Sequence, residues 1–229
     1  MLLLNVPPQI QIKIYAIIGP EPNNNDVHGC ILDFNRKVNV MLAMFKYIPA
    51  SLRYSLYKTC CMSLYGCVLW DFSFPSVQEY FTSWRKSVRR VWKVPARTHN
   101  NLLPLICNDD PVDVQLHKRV LSFFGAASKS SNKCINIACK LAINGSCSSL
   151  ANSLTVICNK YMLNKGSALL NASLINSYYG DKVTPDVQRN AGTIKDFIQK
   201  RDIKIYNPVC HEALSTEEAQ DIKNLLCTA

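Results

Sequence analysis

Between Arg85 and Arg97 the chain carries six cations and no acid: Arg85, Lys86, Arg89, Arg90, Lys93 and Arg97. Long cations at this density neutralise phosphates, which gives an affinity that ignores base sequence and falls with salt. His117, Lys118 and Arg119 extend the basic character downstream. Trp84 and Trp92 lie in the same stretch and could stack on bases. Their spacing, however, groups them with Val77, Phe81, Val88 and Val91 on one apolar stripe, so packing is the expected role for both. The competing reading of the cations is a solvated basic face that binds nothing in particular.

Other chemistries find less support. Asp109-Asp110 could hold a metal, but Pro111 follows, and the triplet reads as a turn with Asp110 capping a helix. Cys107 with His99 or His117 lacks a third group to orient a base. Cys60-Cys61 with Cys67, Cys134 with Cys139, and Cys210-His211 with Cys227 do not form the two short-spaced pairs of a structural zinc site. No glycine-rich phosphate loop occurs. The residues therefore predict no catalytic group, no metal and no cofactor.

The chain has 229 residues with a formal net charge of +10 and 48% hydrophobic residues. That is enough for a packed core with a polyanionic partner. It contains 11 cysteines, an odd number spread through apolar runs. The start, Met1-Leu-Leu-Leu followed by Pro7-Pro8, lacks a basic n-region, and no run is long enough for a membrane span. We expect a reducing intracellular setting, cytoplasm or nucleus, with the thiols acting as small core side chains.

The elements that must position the basic stretch are helical. Ile10, Ile12 and Ile14 alternate as in a short strand, and Pro22 to Asp26 reads as a loop. Helices are expected over Ile31–Tyr47, with an inner stripe of Ile31, Phe34, Val38, Leu42 and Phe45, and from Leu52 to about Leu64, capped by Ser51. The second would bury Leu52, Leu56, Cys60 and Leu64, with Tyr57 and Cys61 widening that face, and would stop at Gly66. The basic helix is expected over Ser73–Val94, capped by Ser73 and ended by Pro95. A turn of helix near Leu102–Ile106 and a helix over Val112–Ala127 should follow. Weaker patterns cover Lys133–Ile143, Ser148–Leu163, Ala168–Asn176 and Val187–Arg201, and Ser215 with Glu218 forms a capping box for a final helix. The predicted class is all-α with a short N-terminal strand. The expected division is 1–30 (strand and loop), 31–127 (helical region with the basic helix) and 128–229 (helical extension).

Three stretches taken in order, CMSLYGCVLWD, then WRKSVRRVW-x-P-x-RTHNNLLPLI, then P-x-x-VQLHKRVLSFF, resemble the C-terminal part of LINE-type (non-LTR) retrotransposon reverse transcriptases. The similarity spans roughly Asp33 to Tyr161, and the ending LSTEEAQDIKNLLCTA is also similar to the ends of such polyproteins. The resemblance implies that Asp33 to about Leu69 belongs to a thumb following the palm, with a helical extension that handles RNA template, primer and target DNA. It implies a remnant whose aspartates for nucleotidyl transfer lie upstream, so that magnesium would be needed only by the absent polymerase domain. The chain is then expected to be no enzyme, and to bind RNA or DNA backbone through Arg85, Lys86, Arg89, Arg90, Lys93, Arg97, His117 and Lys118. A palm domain supplied by another chain could be a partner. The alternative is an inert or protein-interacting helical remnant.

Overall fold

A computed structural model describes residues 24–62, 64, 66–144, 148–165, 175–176 and 183–206. Every regular element among them is helical, and the fold is all-α. In chain order these are α1 (Asn24–Met44), α2 (Ala50–Cys60), a 3-10 turn (Cys67–Leu69), α3 (Pro75–Trp92), α4 (Leu102–Cys107), α5 (Val112–Ser128), α6 (Lys133–Ile143), α7 (Ser149–Tyr161) and α8 (Pro185–Tyr206). The expected N-terminal strand, the Ser215–Glu218 capping box and the Cys210, His211 and Cys227 group lie outside the described residues.

The chain divides into two compact units that interleave in sequence. One is formed within Met1–Gly29, Leu64–Tyr80 and Val112–Gly180, the other within Cys30–Ser63, Phe81–Pro111 and Asp181–Ala229. Each unit draws on both sides of the boundary expected at residue 127/128.

In the second unit, an aromatic series forms the interior. Phe34 of α1 meets Tyr57 edge-on at 6.1 Å between ring centres. Tyr57 stacks on Tyr54 at 5.7 Å, and Tyr54 lies 5.8 Å from Trp92. Such pairs add roughly 0.5–1.5 kcal/mol each beyond their burial. The Tyr57 hydroxyl shares a 2.7 Å hydrogen bond with Ser87 Oγ, which also donates to the Trp84 carbonyl.

The most deeply buried charged group here is Arg53, 1% exposed. Its Nε donates to the Phe45 carbonyl at 3.2 Å, Nη1 to Val91 at 2.7 Å, and Nη2 to Lys46 at 3.2 Å and Ile48 at 2.6 Å. These carbonyls lie just beyond the end of α1 and in the last turn of α3, where a helix has no intrahelical partner for them and carries partial negative charge. This geometry corrects the phase expected for α2. Leu52 and Cys60 are exposed; Tyr57, Cys61 and Leu64 are buried as expected, but Ala50, Arg53 and Tyr54 complete the buried face in place of Leu52 and Cys60. An aliphatic stripe could have packed, but four charge-assisted hydrogen bonds to one guanidinium outweigh the burial of one leucine. Nor does Ser51 cap this helix. Asp202 Oδ2, on α8, accepts from Ala50 N at 2.7 Å.

Two more local readings change. Helix α1 begins at Asn24, so part of the stretch read as a loop is helical, and Asp26 sits in its first turn where a carboxylate favours the helix dipole. Ser73 gives its hydroxyl to Asp71 Oδ1 at 2.6 Å, ahead of a helix that starts at Pro75. The end of α3 is built by backbone geometry. Lys93 takes a left-handed conformation (φ 53°), with its N–H donating to the Arg90 carbonyl and that of Val94 to the Arg89 carbonyl. Helices α4 and α7 end in the same way at Asn108 and Met162. Glycine is the usual residue at such an end and asparagine fits it well, so the strain falls on Lys93 and Met162.

In the first unit, α5, α6 and α7 pack on one another, and α5 and α7 also pack on the 3-10 turn. Asn132 caps α6 by accepting from Cys134 N at 2.9 Å. Ser148 caps α7 by accepting from Ala151 N at 3.2 Å. Both are side-chain oxygens that satisfy an otherwise unpaired N–H of a first turn. The loop after the 3-10 turn is tied to α7. Ser153 Oγ donates to the Trp70 carbonyl at 2.7 Å and accepts from Phe72 N at 3.0 Å, while Asp71 Oδ2 accepts from Asn152 Nδ2 at 2.6 Å.

Replacing Arg53 by methionine keeps an apolar stem but strands the carbonyls it serves. A loss of roughly 3–5 kcal/mol is expected in urea unfolding of the Arg53→Met chain. A change below about 1 kcal/mol would mean that water replaces the guanidinium.

Candidate nucleic-acid interface

Helix α3 buries the stripe that the sequence assigns to the core: Val77, Phe81, Trp84, Val88, Val91 and Trp92. Both tryptophans are interior side chains and present no stacking surface, Trp84 being 2% and Trp92 8% exposed. The cations on the outer faces are not equivalent. Lys86, Arg90 and Arg97 are exposed. Arg85 is half-buried and donates to Thr82 Oγ1 at 3.0 Å.

Arg89 is turned back on the chain. Nε and Nη2 both donate to the Thr98 carbonyl, at 3.1 and 2.7 Å, and Nη2 also reaches Asn100 Oδ1 at 2.7 Å. Thr98 is itself buried and donates to the Pro95 carbonyl, so Arg89 folds the Pro95–Asn100 loop against α3. Burial first, and then the Arg85 charge, lower the proton affinity of its guanidinium. Lys93 leaves the row because the helix has ended. Its Nζ lies 3.4 Å from the Lys46 carbonyl, the oxygen that also accepts from Arg53.

His117 and Lys118 belong to the other unit. Lys118 is half-buried on α5. His117 is a correction to the expected contact set. It is 3% exposed, its Nδ1 and the Tyr161 hydroxyl share a 2.8 Å hydrogen bond, and Phe72 and Tyr161 lie 5.2 and 5.5 Å from its ring. A side chain so enclosed reaches no phosphate. Burial, and then the Lys160 charge, hold it down at about 4 against an ordinary value of 6.5, with Asp113 opposing. Burial raises the proton affinity of the Asp113 carboxyl, but Lys160 Nζ at 2.6 Å and His117 outweigh it and hold the group below its usual range.

A half-open groove of about 920 Å³ lies among α2, α4 and α8, floored by Tyr54, Trp92, Ile106, Cys107 and Ile198, with Lys195 at its rim. Its titratable groups are poor reagents. Burial pushes the Cys107 thiol up to about 12, so it stays protonated and is no nucleophile. Burial, with Cys107 and Asp109 nearby, likewise raises the Tyr54 hydroxyl well above its usual value. His99 Nδ1 accepts from Asn101 N at 3.3 Å, a local turn contact. Among the described residues, no group of three or more His, Cys, Asp or Glu side chains is placed to hold a metal ion. Nor is any described helix long and apolar enough to cross a membrane.

Because His117 is neutral when folded and titrates near 6.5 when unfolded, the unfolded chain binds more protons between these values. Stability should therefore fall as pH drops from about 6.5 towards about 4, by roughly 3 kcal/mol, with the Asp113 contribution lost lower still. Denaturant midpoints across this range check it, and His117→Gln should flatten the profile above about pH 4. An unchanged slope in that variant would assign the acid sensitivity to other groups.

No family model, no curated protein and no solved structure matches this chain.

Proposed function

We propose that the chain binds the sugar-phosphate backbone of RNA or DNA without base preference, through the outer face of α3 and the loop that follows it. One observation carries this reading. Lys86, Arg90 and Arg97 stay exposed in a stretch of six cations that contains no acid. Like charges at i, i+4 destabilise a helix by a few tenths of a kcal/mol, and bound phosphates convert that repulsion into attraction. The buried thiol and phenol of the groove are unsuited to nucleophilic or acid–base chemistry at neutral pH, in keeping with a binding role.

The resemblance to LINE-type reverse transcriptases supports the same reading, as a thumb-and-linker segment that contacts template and primer while a palm on another chain supplies magnesium and chemistry. A reducing intracellular setting fits the many cysteines. One observation favours the alternative of a protein-interacting helical remnant. Leu32, Val40 and Met44 of α1 are 71%, 52% and 71% exposed. Val40 and Met44, one turn apart, present a joined apolar surface larger than a scattered surface leucine, and Leu32 lies two turns further along the same helix.

Fluorescence anisotropy of the purified chain on labelled RNA hairpins and DNA duplexes, across a salt series, separates the two. The triple change of Lys86, Arg90 and Arg97 to Ala should lower the log–log salt slope by about 2–3 and weaken binding at least roughly tenfold. Removing Lys129, Lys133 and Lys140, three exposed cations of the other unit, should cost much less. Equal losses from both sets would reduce the binding to net charge and sink the proposal.

A further inference from the structure

The basic surface of the second unit does not end with α3. Resting on the nucleic-acid reading above, we propose that Tyr47, together with Lys46, Lys93 and Arg201, forms a seat for one nucleotide of a single strand, the ring stacking on a base and the cations holding its phosphates.

Tyr47 is 69% exposed, and among the described residues it is the exposed large aromatic side chain. The tryptophans that the sequence singles out are interior, so stacking falls to this residue. The Lys46 ammonium lies 5.4 Å from the Tyr47 ring centre. That is close enough for the cation to polarise the ring face. Base–aromatic stacking accepts any base, because every base has a π-face, and this suits a surface whose other contacts are to phosphate.

Three elements bring their cations to this place. Lys46 lies in the turn after α1. Lys93, at the end of α3, donates to the Lys46 carbonyl at 3.4 Å. Arg201 is exposed on α8 beside Asp202, whose carboxylate holds Ala50 N at 2.7 Å, three residues from Tyr47. Burial and then the Arg53, Arg201 and Lys46 charges lower the proton affinity of Lys93, against Asp202, as expected of like charges gathered in one place. Lys93 also accepts a left-handed backbone, φ 53°. Glycine would adopt it without strain.

The platform is preorganised. Arg53 fixes the carbonyls of Phe45, Lys46 and Ile48, on both sides of Tyr47, so little backbone freedom is lost when a base settles on the ring. Tyr47 itself contributes little to the core at its exposure, so its substitution tests binding and not folding.

The test uses the full chain with labelled oligo(dT), an abasic strand of equal length and a duplex. Tyr47→Ala should weaken oligo(dT) binding about 5- to 50-fold, leave the abasic strand and the duplex unchanged, and be rescued by Tyr47→Trp. Lys93→Gly should raise the melting temperature by relieving strain, yet lower the single-strand salt slope by about 0.7. A Tyr47→Ala effect equal on oligo(dT) and abasic strands, or absent from both, overturns the seat while the α3 triple variant still weakens binding. If that triple variant also changes nothing, the nucleic-acid reading itself fails.

Discussion

The second unit depends on a buried guanidinium that faces carbonyl oxygens. Arg53 gathers four of them, from the turn after α1 and from the last turn of α3, at 2.6–3.2 Å. A charge taken out of water is destabilising by several kcal/mol unless its protons are all used, and the planar fork of arginine can use about five. Lysine has about three donors on a single atom and cannot reach carbonyls spread over this arc. The consequences run outward. With Arg53 inside, α2 must turn Tyr54 and Tyr57 inward and Leu52 outward, which sets the aromatic series from Phe34 to Trp92. The same bonds hold the turn that presents Lys46 and Tyr47.

The basic stretch is consequently two things at once. Arg89 is a fastener, closing the Pro95–Asn100 loop with three hydrogen bonds. Lys93 is turned by the helix end towards the Lys46 carbonyl. Lys86, Arg90 and Arg97 remain turned to solvent, and Lys93 too is exposed beside that carbonyl. A charge count over the stretch overstates what a phosphate would meet, and the difference is made by which guanidinium finds a carbonyl. The first unit uses its polar groups in the same manner. Asp71 and Ser153 are buried and tie the loop after the 3-10 turn to α7, through Asn152 and through Trp70 and Phe72, and the buried His117 of α5 is bonded to Tyr161 of α7.

Much of this fold was legible in the sequence. The apolar stripe of α3, the bounds of α6 at Lys133 and Ile143, the helical pattern that opens at Ser148 and the short helix near Leu102 follow from interactions between near neighbours along the chain. Helical period and local capping are properties of neighbours, so the order of residues determines them. The interior placement of Trp84 and Trp92 followed for the same reason, as did the exposed position of Lys86 and Arg90 on the opposite face.

What the tertiary structure decided involves partners far apart in the chain. Arg53 and Val91 are separated by 38 positions, His117 and Tyr161 by 44, and Asp202 and Ala50 by 152. An arginine reads as surface, a histidine beside Lys118 as part of a basic patch, and Ser51 as a cap, until a carbonyl, a phenol or a carboxylate arrives from elsewhere. Burial of a polar group is tolerated only when its partner is already in place. Composition and the period of the apolar residues made this a basic, helical, core-forming chain. That Arg53 and His117 turn inward was settled by hydrogen bonds to Val91 and Tyr161, far along the chain, because the desolvation cost of a charge depends on the groups that fold around it.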